Sequence, residues 1–326
     1  MNRRSLLATA TTAALTAFAA FTASLATAQE AYPTRPVKFV NNFPAGGPSD
    51  LLARSVAAVL QETLKQPFVV ENRAGAAGNI GADAVARSAA DGYTVLFGID
   101  TTFTVNPHLY PNLPFKAADF RPLVIMASSG LLVGVHPSTG IKTLPALVTA
   151  AKARPLNFSS AGSGAPGHLA VEVFNEATQA RLNHIPYRGN TPAVTAVLAG
   201  EVDGGVLATP GMLPHVQAGK VTALAVTSRQ RSRLAPDLPT VGELGLGRLE
   251  HEVLYLAMVP AATPEAVVQT LQKHIVDALK RPEVQARMAN LDLFFEGLTG
   301  DAAAKRLSDL SGRYGPIVKA TGMKVE

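Results

Sequence analysis

Two glycine stretches hold the residues best suited to chemistry in this chain. Gly162-Ser163-Gly164-Ala165-Pro166-Gly167 spells G-x-G-x-x-G between a strand and a helix, the placement a dinucleotide site requires. The acid expected about 20 residues further on is missing. The next strand ends Pro186-Tyr187-Arg188-Gly189, where only Arg188 could meet a ribose 2′-phosphate, and the turn lies in mid-chain. A turn that offers backbone N–H groups to a smaller anion is the better reading. The second stretch is Pro44-Ala45-Gly46-Gly47-Pro48, whose two glycines stand just before a helix opened by Pro48 or Ser49. Unpaired N–H groups and the positive end of the helix dipole attract an anion there without a cationic side chain. No Gly-Lys-Ser/Thr follows, so this is not a P-loop. Taken alone, the stretch is equally explained by a helix start that needs glycine dihedrals.

Nucleophilic and metal chemistry are less well served. Gly-x-Ser-x-Gly is absent, and Ser159, Ser160, Ser163, His168 and His184 lie close in sequence in the manner of hydrogen-bonding residues around a turn. The seven histidines are scattered singly, and His251-Glu252 lacks the second histidine of a zincin. His168 opens a helix and reads as a cap or packing residue, while Asp50, in a first helical turn, is explained by the dipole. Arg54 and Arg73 read as salt-bridge residues. Arg188, beside an expected cleft, is the one candidate for a carboxylate clamp.

The elements that must position these turns follow from periodicity. Val37, Phe39 and Val40 form a short apolar run, and Leu52, Val56, Val59, Leu60 and Leu64 make one helical face after the glycines. Phe68-Val69-Val70, a turn at Ala74 to Gly78, a helix from Asn79 to Ala90 and a strand over Tyr93 to Phe97 continue the alternation. Such alternation implies a parallel sheet with right-handed crossovers, and crevices in these sheets open at the carboxyl ends of the strands. Gly98 to Thr102 falls at such an end. After the proline-rich stretch from Pro107 to Pro122, a second alternating unit runs to Val226, with strands over Leu156 to Ser160, Leu182 to Tyr187, Val202 to Ala208 and Val221 to Val226. The tail is helical from Thr263-Pro264 to Arg281-Pro282 and from Asp301 to about Lys319. Its one expected strand is Leu254 to Val259, so the tail is expected to pack back on the first lobe, the chain crossing between lobes twice.

Composition sets the compartment. With 326 residues, 47% hydrophobic and 16% charged, the chain is globular and has enough material for one large domain or two ordinary ones. Arg3 and Arg4, an apolar stretch to Leu25 and the Ala26-Thr27-Ala28 exit form a secretory signal peptide, with a twin-arginine resemblance in Asn2 to Leu7. Cleavage after Ala28 leaves 27 basic against 24 acidic residues, a net charge of +3 with no dense basic cluster, which argues against nucleic acid. Without cysteine, neither disulfides nor thiol chemistry are available.

Nine motifs in order resemble the Bug family of periplasmic solute-binding proteins, the receptors of tripartite tricarboxylate transporters. They include Tyr32-Pro33-x-Arg35-Pro36, Phe43-Pro44-Ala45-Gly46-Gly47-x-x-Asp50-x-x-Ala53-Arg54, Val69-Val70-Glu71-Asn72-Arg73 and Gly78-Asn79-Ile80-Gly81. Asp91-Gly92-Tyr93-Thr94, Gly162-x-Gly164 with His168-Leu169, and His184-x-Pro186-Tyr187-Arg188-Gly189 carry it onward. The resemblance implies two α/β lobes that close on a small carboxylate or amino acid, held mostly by backbone N–H groups, hydroxyls and water. Carried over by position, the ligand-binding candidates are Phe43, Pro44, Ala45, Gly46, Gly47, Thr101, Thr102, Ser160, Gly162, Ser163, Gly164, Asn190 and Thr209. Two departures stand out. Val202-Asp203-Gly204-Gly205-Val206-Leu207 has Leu207 where many relatives carry a second acid, which argues against an ammonium-bearing ligand. Asn41-Asn42 replace apolar residues before the first turn.

The expectation is therefore an α/β, two-lobed type II periplasmic binding protein-like fold with a double crossover and an interlobe cleft. Its parts are a signal peptide over 1–28, lobe 1 over 29–133, lobe 2 over 134–226 and the rest of lobe 1 over 227–326. The chain is read as a monomeric receptor that hands a small carboxylate to membrane permease subunits, with no cofactor, metal or catalytic residue. The rival readings are an exported hydrolase using Ser163 with His168 or His184, and a ligand sensor feeding a signalling partner.

Overall fold

The computed structural model describes residues 32–323, so the signal peptide lies outside the described residues. From Arg35 onward the chain forms one compact unit built on two sheets. It first lays down β1 (Val37–Asn41), β2 (Phe68–Asn72), β3 (Thr94–Ile99) and β4 (Phe120–Ser129). It then enters a second sheet with β5 (Leu131–Val135), β6 (Leu156–Ser160), β7 (Leu182–Pro186), β8 (Gly204–Ala208) and β9 (Thr222–Val226). The return to the first sheet is by β10 (Val253–Pro260) and β11 (Phe294–Thr299), giving the orders β11-β4-β10-β3-β1-β2 and β7-β6-β8-β5-β9. This is the two-lobed architecture with a double crossover that the resemblance implies.

The parallel cores are β2-β1-β3 and β7-β6-β8, formed where short apolar strands alternate with helices. Phe39 stacks on Phe97 with ring centroids 4.2 Å apart and meets Phe68 edge-on, so the centre of the first sheet is filled by aromatic rings. Helix α1 (Pro48–Leu64) buries Leu52, Val56, Val59 and Leu60, and its proline sits in the first turn, where a missing N–H costs nothing. After α2 (Asn79–Ala86), the one-turn helices α3 (Thr101–Thr104) and α4 (Asn106–Leu109), and α5 (Leu144–Ala153), the same proline start recurs in α6 (Pro166–Thr178). Helix α6 buries Leu169, Val173 and Phe174. Helices α7 (Asn190–Ala199) and α8 (Thr209–Gln217) follow β7 and β8. The tail adds α9 (Glu265–Leu279), α10 (Pro282–Asn290) and α11 (Gly300–Thr321), which packs on both α3 and α6 and so touches both lobes.

The crossings are close. A Cβ on Gly130 would lie 2.4 Å from Ser228 Oγ and 2.8 Å from Ser228 N, so only glycine lets the two connections pass backbone to backbone. The Leu131 amide donates to Thr227 Oγ1 at 2.9 Å, and Thr227 Oγ1 donates to the His251 carbonyl at 2.6 Å. The chain thus changes sheet at Gly130, not at the expected 133/134, because Val133 and Gly134 lie inside β5 and pair with both β8 and β9. The tail also carries a strand that periodicity did not give. Strand β11 is a sheet edge with an irregular register between Phe295 and Leu298, a form that alternation does not announce.

Candidate functional site

In each parallel core the strand order reverses at one strand: β1 stands between β2 and β3, and β6 between β7 and β8. Crevices of α/β sheets open beyond the carboxyl ends of such strands. The loops there are the two glycine corners, and they share one plan. Gly46 and Gly164 both have φ of +79°, each stands two residues before a proline helix start, and each donates its amide to the side chain four residues on. In the first corner the Gly46 amide meets Asp50 Oδ2 at 2.9 Å. In the second, the Gly164 amide meets His168 Nδ1 at 3.1 Å.

This corrects the simplest reading of the glycine turns as rows of free donors. Gly46 and Gly164 are committed internally, and Gly162 donates to Ser160 Oγ at 3.2 Å. Among the described residues, the amides still without an acceptor are those of Phe43, Ala45, Gly47, Ser49 and Asp50 in the first corner and of Ala161, Ser163 and Gly167 in the second.

Charge separates the corners. Asp50 is buried, and burial alone would raise its pKa; the Arg54 guanidinium, the Gly46 amide and Asn72 outweigh it and hold the carboxyl below its usual range. The second corner is neutral. His168 and His184 stack with ring centroids 3.7 Å apart and 6° between planes, and burial lowers their pKa values to about 3 and about 4, with His184 adding to the fall of His168. Because His168 Nδ1 accepts the Gly164 amide, its proton sits on Nε2, 3.7 Å from Glu172 Oε1. That contact is no ion pair, since the imidazole is neutral and burial raises the Glu172 pKa. His184 Nε2 lies 2.5 Å from Ser160 Oγ.

Across from the second corner stands a third loop. Ala76 and Ala77 both occupy the left-handed region, at φ of 47° and 50°, a conformation that costs about 1 to 2 kcal/mol per non-glycine residue. Three bonds hold it: Asn42 Nδ2 to the Gly78 carbonyl (3.1 Å), and Thr102 Oγ1 and Asn106 Nδ2 to the Ala77 carbonyl (3.1 and 3.0 Å). The Gly164 Cβ position is 3.2 Å from both Ala77 Cβ and Leu109 Cδ2 and 3.5 Å from Asn106 Oδ1. The second corner therefore abuts the Ala76–Gly78 turn and Asn106–Leu109, whereas a Cβ on Gly46 would meet nothing within 4 Å.

The other candidates lie at the same strand ends. Phe43 is half-buried, and its carbonyl takes Asn41 Nδ2 at 2.8 Å; Pro44 and Ala45 are exposed. Thr101 and Thr209 open α3 and α8, and their buried hydroxyls have no partner. Asn190 opens α7, and its Oδ1 accepts the Ala208 amide at 3.1 Å. Ser163 is half-buried and bonds to neither histidine among the described residues; the serine on His184 is Ser160, and no carboxylate backs that imidazole. Among the described residues no cluster of three metal-ligating side chains occurs. A groove of about 500 Å³ between α1 and α10, lined by Ser55, Glu62, Glu283 and Arg287, contains neither glycine corner.

Sequence reasoning missed Ala77 and Asn106; it read His168 as a cap or packing residue and His184 as one of the hydrogen-bonding residues around the turn, with a role as base only in the rival hydrolase reading. A signal for Asn106 existed: it lies four residues beyond Thr102, one helical turn on the same side.

The profile described as "Tripartite tricarboxylate transporter family receptor" matches residues 52–323. Protein BugT of Bordetella pertussis is 36% identical over 301 residues, 91% of this chain and 92% of that protein. Among solved structures, the R. palustris protein Rpa4515 with adipate aligns with a TM-score of 0.80 at 29% identity, covering 90% of this chain and all of that one. MatC from Rhodopseudomonas palustris with bound malate aligns at 0.78 and 27% identity, over 88% of this chain and all of that one.

Proposed function

Because the chain belongs to the tripartite tricarboxylate transporter receptor family and is a periplasmic solute-binding protein rather than an enzyme, we propose that it captures a small carboxylate between its two glycine corners and delivers it to the membrane permease subunits. Lobe 1 is then 35–129 with 229–323, lobe 2 is 131–227, and export uses the signal peptide over 1–28. No helix among the described residues is long and apolar enough to cross a membrane.

The observation that carries this reading is the shared plan of the corners, one at the switch strand of each sheet and each followed by a helix N-terminus. The amides of Gly47, Ser49, Asp50 and Ser163 and the hydroxyls of Thr101 and Thr209 supply the donors. Such donors stabilise an anion strongly once lobe closure excludes water. Ser160, Gly162 and Gly164 shape the second corner, with Gly46 fixing the first; Thr102 holds the turn opposite, and Asn190 fixes the end of β8. Relatives of similar fold are seen with adipate and with malate.

A thermal-shift screen over C3 to C8 mono-, di- and tricarboxylates tests the reading. One or more acids should raise the melting temperature with a concentration dependence set by mass action, by about 2.7 kcal/mol of stability at a hundred times Kd. Flat melting curves across the whole panel would overturn it.

A further inference from the structure

The buried polar atoms of the site are not all donors. Asn106 is fully buried, and its Oδ1 has no hydrogen-bond partner. The amide cannot be turned round to remove the anomaly. Its Nδ2 donates to the Ala77 carbonyl at 3.0 Å and to Asn79 Oδ1 at 2.7 Å, and a flipped amide would set oxygen against the Ala77 carbonyl. That carbonyl already accepts Thr102 Oγ1, which fixes its place. Asn106 Oδ1 is thus locked as an acceptor, and it faces the second corner, 3.5 Å from the Cβ position of Gly164. The Gly164 amide is unable to serve it, being taken by His168.

A buried acceptor without a partner is costly, and a carboxylate oxygen placed against it would be repelled. The group that belongs there carries a hydrogen. An ammonium would be stripped of water among neutral side chains. The carboxylate at this corner, Glu172, is bonded by Asn175 and Thr321, those of Asp50 and Asp100 are engaged by Arg54 and by the Leu254 amide with Thr104, and Leu207 is apolar. A hydroxyl meets the need at no such cost. Resting on the carboxylate reading above, we propose that Asn106 Oδ1 accepts a hydrogen bond from a ligand hydroxyl, so that this receptor selects a hydroxylated carboxylic acid over the deoxy acid of the same carbon skeleton.

The test is calorimetric titration of the full mature chain with matched pairs: lactate and propionate, malate and succinate, citrate and tricarballylate, with aspartate beside the four-carbon pair. The hydroxy acid of the best-binding pair should be favoured by about tenfold or more. In Asn106→Leu the hydroxy acid should fall to within about threefold of its partner, whatever loss the missing Ala77 and Asn79 bonds impose on both acids alike. Variants that are merely damaged weaken both members together and leave their ratio intact. Should circular dichroism show the Leu variant unfolded, Asn106→Ala is read instead. A wild-type ratio near one, a ratio that survives in the folded variant, or aspartate binding more tightly than malate overturns the assignment while leaving carboxylate capture standing. Failure of every acid to bind removes both.

Discussion

The two glycine corners are built on one plan and braced with opposite chemistry. Each presents a left-handed glycine, a proline helix start and a side-chain acceptor at the third helical position, but the acceptor is the anion Asp50 in one lobe and the neutral His168 in the other. Asp50 is offset by Arg54, whose side chain is half exposed, and its corner is open to solvent. His168 is buried, stacked on His184, and its corner is pressed against the opposite lobe. An acceptor that must share a closed space with an anion has to be uncharged, whereas one facing water with a guanidinium beside it need not be. The neutral corner is therefore the one that can be enclosed without burying a charge of its own.

Acid should break this comparison most strongly. A histidine whose folded pKa is depressed binds its proton later than in the unfolded chain, so the unfolded state gains protons first as pH falls through 6.5. His168 and His251, each lowered to about 3, and His184, lowered to about 4, contribute stability that is intact above pH 6.5 and is lost between there and about 3 for the first two and about 4 for His184. Each costs about 1.4 kcal/mol per pH unit within that window. Asp100, which burial pushes up to about 6, works the other way between about 6 and 4, and Glu172 opposes in the same direction. The expected net loss is about 2 kcal/mol or more from pH 6.5 to 4.5, measured by urea unfolding. Asp50, with a lowered pKa, begins to lose its contribution only below about 3.8. Amide exchange at pH 4.5 should accordingly find residues 161–168 deprotected before 43–50; the reverse order would contradict the contrast.

Equal backbones in unequal surroundings give the second test. Gly46 and Gly164 have the same φ, so alanine strains both alike, by about 1 kcal/mol. At Gly46 the new methyl meets open space. At Gly164 it presses on Ala77 and Leu109 of the other lobe at 3.2 Å, adding about 1 to 3 kcal/mol to closure. Gly164→Ala should weaken carboxylate affinity by about tenfold more than Gly46→Ala, with similar melting temperatures for the two free proteins. Equal affinities would show that the lobes do not meet at Gly164 in the bound state.

Much of the fold was legible because its information is local. Apolar runs of four to six residues, proline helix starts and glycine turns declare β1 to β3 and β6 to β8 in chain order, and with them the switch strands. Strand β11 was not, because an irregular edge strand with a partly exposed Phe295 has no alternation to read. At the site the glycines were visible but their commitments were not. Asp50 and His168 stand four residues beyond Gly46 and Gly164, yet nothing in the spacing says that side chains take those amides. Asn106 and Ala77 were hidden for a different reason. Their roles arise where β1, β3 and the Ala76–Gly78 turn converge through Asn42 and Thr102, contacts spanning 25 to 60 positions.

A smaller effect should separate charge from geometry in the first corner. Asp50→Asn keeps an oxygen for the Gly46 amide and removes the charge that pairs with Arg54. The expected cost is about 1 kcal/mol at pH 7, falling toward zero below the Asp50 pKa, where the wild-type carboxyl is itself protonated. His168→Asn at the matching position also keeps an acceptor oxygen but gives up the stack on His184, so its cost should be constant from pH 8 to about 6.5 and shrink below that, where the wild type loses the contribution of its own neutral His168. A penalty for Asp50→Asn that does not shrink in acid would place the brace in shape, not charge.

The smallest effect is that of salt, and it follows from exposure. The Arg54 side chain is 50% exposed beside an Asp50 side chain that is 3% exposed, at 3.0 Å, so the pair keeps one face in water. At 1 M salt the screening length falls to about 3 Å, comparable with the separation of the charges, whereas at 0.15 M it is about 8 Å. Partly exposed pairs of this kind contribute about 0.3 to 1 kcal/mol, and salt should remove a fraction of that from residues 43–50 alone. The second corner has no charged pair to screen, since His168 and His184 are neutral at pH 7. Raising sodium chloride from 0.15 to 1 M should therefore lower amide protection at 43–50 by a few tenths of a kcal/mol while leaving 161–168 unchanged after correction for the general effect of salt on burial. Equal changes in the two segments would mean that Arg54 contributes through packing, and the electrostatic half of the contrast would be lost.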